Sequence, residues 1–205
     1  MANPQPDSII LSNPTQNSTT SPNNSNRRRY LVPDEVKRLL AQSQASASVY
    51  RYRNTLMILM AYIHGLRCSE LISLQWHQID LKSGSIAISR LKQGNSSVHP
   101  LTAKELQMLK RLRRNEPNSR YVFLSQRGQP MTRQNVNVIL KELGKAADIE
   151  IPVFPHSLRH ACGYKLSNEG KDTRSLQWYL GHKNIQHTTR YTAMNAARFN
   201  DWWRD

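Results

Sequence analysis

Apolar positions recur at helical spacing along most of this chain. Leu56, Leu59, Met60 and Ile63 fall at i, i+3, i+4 and i+7, which predicts a helix with one face on a core. Gly65 stands where that helix would stop. Upstream, Pro33 followed by Asp34 and Glu35 suits a first helical turn. Proline lacks an N–H that would be unpaired there, and acids favour the positive end of the helix dipole. A short helix is expected from about Arg67 to Leu74.

The period then changes. Ile86 and Ile88 alternate with small or polar residues, Gln93-Gly94-Asn95 reads as a turn, and Val98 to Leu101 returns. That is a hairpin in a small antiparallel sheet. Helical signals resume after it. Thr102 with Glu105 three residues on is a capping box. Thr132 caps the next helix, which ends near Ala147. Another runs from about His156 to Asn168 and stops at Gly170; Asp172 caps a further one, stopped by Gly181. Trp178 and Tyr179, just before that glycine, are expected in the core, and His187 is expected to be exposed. The pattern as a whole predicts a mainly α chain with a small antiparallel β-sheet inserted early, an α+β class.

Residues 1–29 break the pattern. Asn, Ser, Pro, Thr and Gln dominate, and the stretch ends on Arg27-Arg28-Arg29. It buries too little to order itself and is expected to be a disordered tail. The arginine triplet reads two ways, as a contact for phosphates or as a solvated charge run at a domain edge.

Charge narrows the partner. Among 205 residues there are 29 Lys+Arg against 14 Asp+Glu, a formal charge of +15. Such an excess attracts polyanions, and nucleic acid leads because phosphates reward Lys and Arg through counterion release. A membrane surface is the alternative. The two cysteines, Cys68 and Cys162, make no disulfide framework in a chain this long and read as reduced thiols of an intracellular, cytoplasmic protein. There is no apolar run of about 18 residues and no secretory signal, so no membrane partner is expected.

Four segments carry candidate chemistry. In Gly65 to Leu71 (GLRCSEL), Arg67 at a helix start could join backbone N–H groups around one anion. Equally, it could be a surface arginine paired with Glu70 three residues on. Glu70 itself reads as an orienting partner. In Pro155 to Gly163 (PHSLRHACG), His156 and Arg159 share a helical face. An imidazole beside a fixed cation suits work on a phosphodiester, the arginine holding an oxygen and the histidine a proton. His160 and Cys162 lack a second pair at ligand spacing, so a zinc site is not expected. In Tyr179 to Ala193 (YLGHKNIQHTTRYTA), Gly181 presents His182 in a turn and Tyr191 follows nine residues later, as a nucleophile or as an ordinary half-buried tyrosine. Lys92, at the hairpin turn, is either a solvated edge charge or a proton donor to a leaving oxygen.

Taken together, the order Arg67, Lys92, His156-x-x-Arg159, His182, Tyr191 resembles the catalytic set of the tyrosine recombinases, the phage integrase family, across essentially all of residues 30–203. The stretches RLKQGNSSVHPL (90–101) and YLGHKNIQHTTRYTAMNAARF (179–199) are similar to the small fimbrial phase-variation recombinases, the DNA invertases. The resemblance implies a catalytic domain over 30–205 with no separate core-binding domain before it. It implies cleavage of double-stranded DNA at specific sites through a 3′-phosphotyrosine at Tyr191, without metal or other cofactor. Arg67 and Arg159 would clamp non-bridging oxygens, His182 would add a hydrogen bond, Lys92 would protonate the departing 5′ oxygen, and His156 would assist the Tyr191 proton. It further implies a homotetramer on DNA and leaves room for DNA-bending accessory proteins. The segment of about 194–205, with apolar Ala197, Phe199, Trp202 and Trp203, would dock on a neighbouring subunit; docking on its own core is the alternative. DNA inversion is the expected outcome. Integration or excision by the same chemistry, a non-catalytic DNA-binding regulator and a topoisomerase are the competing readings.

Overall fold

The structure, a computed structural model, describes residue 28, residues 30–90 and residues 96–192. Lys92, the turn Gln93-Gly94-Asn95, Arg27, Arg29 and the segment of about 194–205 lie outside the described residues.

Helix α1 spans Pro33–Ala45, α2 Arg51–Ile63 and α3 Cys68–Ile72. A 3-10 turn at Trp76–Gln78 leads into β1 (Ile79–Asp80), β2 (Ser85–Ile88) and β3 (Ser97–Pro100). Among the described residues, five helices follow: α4 (Ala103–Asn115), α5 (Arg133–Ala146), α6 (Pro155–Asn168), α7 (Thr173–Leu180) and α8 (Gln186–Thr192). The sheet is antiparallel in the order β1-β2-β3, with Ile86 opposite His99 and Ile88 opposite Ser97. The class is the one that the periodicities predict.

Caps set several boundaries. The Thr102 hydroxyl accepts from the Glu105 N–H while Glu105 accepts from the Thr102 N–H. Thr132 and Asn135 repeat that exchange, and Asp172 accepts from the Ser175 N–H. Gly181 closes α7 in the left-handed conformation, φ +63°, a region that a side chain would strain.

Two expectations need correction. Helix α2 is no one-faced helix: every residue from Arg53 to Ala61 is buried, because α1, α3, α4 and α6 all pack against it. Trp178 is not in the core but 53% exposed. Leu176 and Leu180 take the inward face of α7, and a residue two positions from each points the other way at 100° per step. Its neighbour Tyr179 is half-buried, stacked on His99 with ring centroids 3.9 Å apart. His187 is exposed.

Candidate active site

The site gathers where the ends of α2 and α7 meet α6. Gly65, after α2, adopts φ +56°, and a side chain there would collide with Leu180. That close approach places the end of α2 against the end of α7. Arg159, on α6, ties the two ends together. It donates to the Gly65 carbonyl at 2.5 Å and to the Leu180 carbonyl at 2.7 Å.

Arg159 is 1% exposed. Among the described residues its partners are carbonyls rather than a carboxylate. Burial lowers its pKa to about 10, and Arg67 and Arg90 push in the same direction. It is still a cation at neutral pH. A buried guanidinium held only by dipoles is poised for an anion.

Arg67 caps α3, its side chain about one-third exposed. Glu70 accepts from the Arg67 backbone N–H through Oε2 and from its guanidinium through Oε1, both at 2.8 Å. The other terminal nitrogen of Arg67 reaches the Gly181 carbonyl at 3.4 Å. Glu70 is therefore the partner that aims Arg67.

Arg90 was not singled out by the sequence, yet it sits behind this pair. Its sealed guanidinium donates to Glu70 Oε2 at 2.7 Å and to the Tyr179 carbonyl at 2.6 Å. Gly181 lies directly on its side chain, where a Cβ would clash. Burial pushes the Glu70 carboxyl up, but Arg90 and Arg67 outweigh it and hold Glu70 below the usual carboxylate range.

His182 follows Gly181 and is 7% exposed. Its Nδ1 pairs with the buried Thr188 hydroxyl at 2.8 Å. Gln177 donates to its carbonyl. Burial, with Arg159 and Arg67 beside it, drives its pKa down to about 3, so the ring is neutral at pH 7. Thr188 lies six residues after His182, and no sequence signal marked it.

Tyr191, on α8, is 1% exposed. Its ring lies flat on Gly163 and edge-on to Tyr164 at 5.1 Å, and stacks toward His182 at 6.2 Å. Ser167 donates to its carbonyl. Burial raises its hydroxyl pKa to about 12, opposed by Arg159 and Arg190. The hydroxyl lies 2.9 Å from Nδ1 of His160. His156 is exposed one turn earlier on α6, its ring edge-on to His160 at 4.4 Å. The expected proton partner of Tyr191 was His156; the imidazole in contact is His160.

The structure thus brings Arg67, Glu70, His156, Arg159, His182 and Tyr191 to one place. Arg28 is elsewhere and engaged: its fork pairs with Glu35 at 2.5 and 2.6 Å. Among the described residues no group of three His, Cys, Asp or Glu side chains is placed to hold a metal ion. No described helix is long and apolar enough to cross a membrane.

The phage integrase family model matches residues 29–198. The chain belongs to the phage integrase family. As a member, the protein is a tyrosine recombinase, an enzyme that breaks and rejoins DNA strands. It is 43% identical over 182 residues to the type 1 fimbriae regulatory protein FimB of Escherichia coli K12, covering 86% of this chain and 90% of FimB. FimE of the same strain is 43% identical over 183 residues, with 86% and 91% covered. The tyrosine recombinase XerD of Listeria monocytogenes (serotype 4b, strain F2365) is 34% identical over 179 residues, 83% of this chain and 60% of XerD. Among solved structures, XerA recombinase superposes with a TM-score of 0.72 at 25% identity, covering 84% of this chain and 63% of XerA. XerH bound to palindromic difH in a post-cleavage complex shares the fold at a TM-score of 0.70 and 20% identity, with 84% and 52% covered.

Proposed function

We propose that this protein is a DNA invertase. It cuts double-stranded DNA at two specific sites through a covalent bond from Tyr191 to a 3′ phosphate, and rejoins the ends with the intervening segment turned around. The observation that carries this reading is a buried arginine, Arg159, with no carboxylate partner among the described residues, beside a sealed tyrosine hydroxyl. A scissile phosphate would supply the missing anion.

In-line attack on that phosphate passes through a five-coordinate transition state with extra negative charge. Arg159 and Arg67 hold its non-bridging oxygens with planar, permanently charged forks. With Thr188 donating to Nδ1, the neutral His182 ring offers Nε2–H as a further donor. Lys92, outside the described residues, protonates the departing 5′ oxygen. The phosphotyrosine keeps the energy of the broken bond, so rejoining asks for no nucleotide.

We read residues 30–205 as the catalytic domain, working as a homotetramer at paired sites, with the segment of about 194–205 docked on a neighbour. Similarity to two fimbrial regulatory proteins over nearly their whole length supports inversion, because turning a promoter around is a recombinase's direct means of regulating a gene. The test is a plasmid carrying inverted repeats from the flanks of this gene. Purified protein should invert the segment between them. Loss of supercoils without exchange would mean a topoisomerase. Binding without any cleavage would mean a regulator.

A further inference from the structure

The hydroxyl that attacks must lose its proton, and the structure shows where that hydroxyl points. Tyr191 Oη is 2.9 Å from His160 Nδ1, and the two rings meet edge-on at 5.7 Å. This placement is built from both sides. Helix α8 crosses α6, and Ser167 holds the Tyr191 backbone. Gly163, three residues after His160, leaves room for the Tyr191 ring, since a Cβ there would meet it at 2.7 Å. Spacing of four residues puts His160 and His156 on the same face of α6, with His156 on the exposed side.

We propose that His160 is a further catalytic residue of this site: its Nδ1 takes the proton of the Tyr191 hydroxyl as the oxygen attacks phosphorus. The proposal rests on the reading of Tyr191 as the nucleophile. In cleavage the Tyr191 O–H bond breaks and its proton moves to Nδ1, giving an imidazolium. The Oη–P bond forms while the P–O5′ bond breaks, and the 5′ oxygen leaves with the electron pair and gains a proton from the donor on its own side. In rejoining, the 5′ hydroxyl returns its proton to that donor as it attacks phosphorus, the Oη–P bond breaks, and the departing Tyr191 oxygen recovers its proton from His160. Nothing is oxidised or reduced.

The surroundings make such a base necessary. A hydroxyl held near pKa 12 is almost wholly protonated at pH 7. The other candidate rings are less well placed. His182 keeps Nδ1 on Thr188, and its ring centroid is 6.2 Å from that of Tyr191. His156 meets His160 rather than the hydroxyl. Among the described residues, the charged and titratable groups around the pair include His156, Arg159, Cys162 and Tyr164 from α6, Arg190 from α8, and His182 from the turn before it.

The experiment is single-turnover formation of the covalent adduct on a nicked suicide duplex, followed from pH 6 to pH 9, beside gel shifts on the same DNA. His160→Asn keeps an acceptor close to the Nδ1 position but cannot take a proton. We expect near-normal binding, cleavage slower by about 10²–10³-fold, and loss of the rise in rate expected of the wild type as an imidazole deprotonates. A fluorinated tyrosine at position 191 sheds its proton more readily. It should recover much of the rate lost by His160→Asn and flatten the pH profile of the wild type. Wild-type rate and pH profile in His160→Asn would overturn the proposal. So would a slow His160→Asn that the fluorotyrosine does not rescue. Should His160→Asn fold poorly, the fluorotyrosine in the wild-type background decides alone: an unchanged pH profile overturns the proposal. A wild-type protein that forms no adduct at all would instead overturn the reading of Tyr191.

Discussion

Arg90 donates to Glu70 at 2.7 Å from a side chain sealed from solvent, so the carboxylate that aims Arg67 is itself held from behind. Glu70 meets two guanidiniums on separate oxygens, and the fork of Arg90 also reaches the Tyr179 carbonyl beside the turn that presents His182. One buried arginine therefore sets two parts of the site against each other.

Removing that arginine alone should cost heavily. Arg90→Met strips a buried carboxylate of one of its two cations, and breaking a buried pair in this way typically costs about 3–5 kcal/mol. The double variant Arg90→Met/Glu70→Gln should lose less than the sum of the single variants, because the charge it leaves unpaired, Arg67, is one-third exposed rather than buried. Urea unfolding measures both. A cost for Arg90→Met below about 1 kcal/mol would mean that the pair behaves as a solvated one.

Gly163→Ala should damage catalysis without harming the helix. Alanine in mid-helix is intrinsically better than glycine by about 1 kcal/mol. Here, however, the new methyl group would meet the Tyr191 ring at 2.7 Å, and a sealed ring has little room to retreat. Adduct formation should fall more than about tenfold, about 1.4 kcal/mol in barrier, with DNA binding kept. An unchanged cleavage rate would show that Tyr191 reacts from a different seat.

The arginines should not tolerate lysine. Arg159 spans the Gly65 and Leu180 carbonyls with two nitrogens of one plane, which a single ammonium cannot do. Arg159→Lys and Arg67→Lys should each slow cleavage by about 10²–10³-fold, the scale of losing one preorganised donor to a developing anion. Cleavage near the wild-type rate in both would reduce them to structural charges.

Acid should destabilise the fold through buried neutral histidines. Burial lowers the pKa of His99 to about 3, helped by His64 and Arg90, and His182 is likewise lowered to about 3. Below the ordinary pKa of about 6.5 the unfolded chain gains protons that the folded protein refuses. Stability is then lost progressively as pH falls from about 6.5 toward 3. Melting followed between pH 7 and pH 5 should show a falling Tm, and His99→Gln should flatten the fall. An equally steep fall in His99→Gln would place the acid sensitivity elsewhere.

Much of the fold was legible because its signals are local. Thr102 with Glu105, Asp172 with Ser175 and the left-handed Gly181 each act within a few residues. The family's motif also led directly to Arg67, Arg159, His182 and Tyr191. What stayed hidden depends on distant chain. Arg90 meets Glu70 twenty residues away and Tyr179 eighty-nine away, and a buried arginine looks like any other in a basic sequence. His160 was visible beside Arg159, but only the crossing of α8 over α6 makes it the neighbour of Tyr191. Trp178 was misplaced because its bulk suggested burial, whereas its angle on α7 decided the matter.

Tyr191, as proposed, forms the bond to DNA. Tyr191→Phe removes one oxygen and leaves the ring on Gly163, so folding and DNA binding should survive. The most direct measurement is an SDS-resistant protein–DNA adduct on a suicide substrate carrying the recombination site. The wild type should give an adduct, mapped by mass spectrometry to a phosphorylated Tyr191, and Tyr191→Phe should give none. An adduct of equal yield with Tyr191→Phe, or one mapped to another residue, would contradict it.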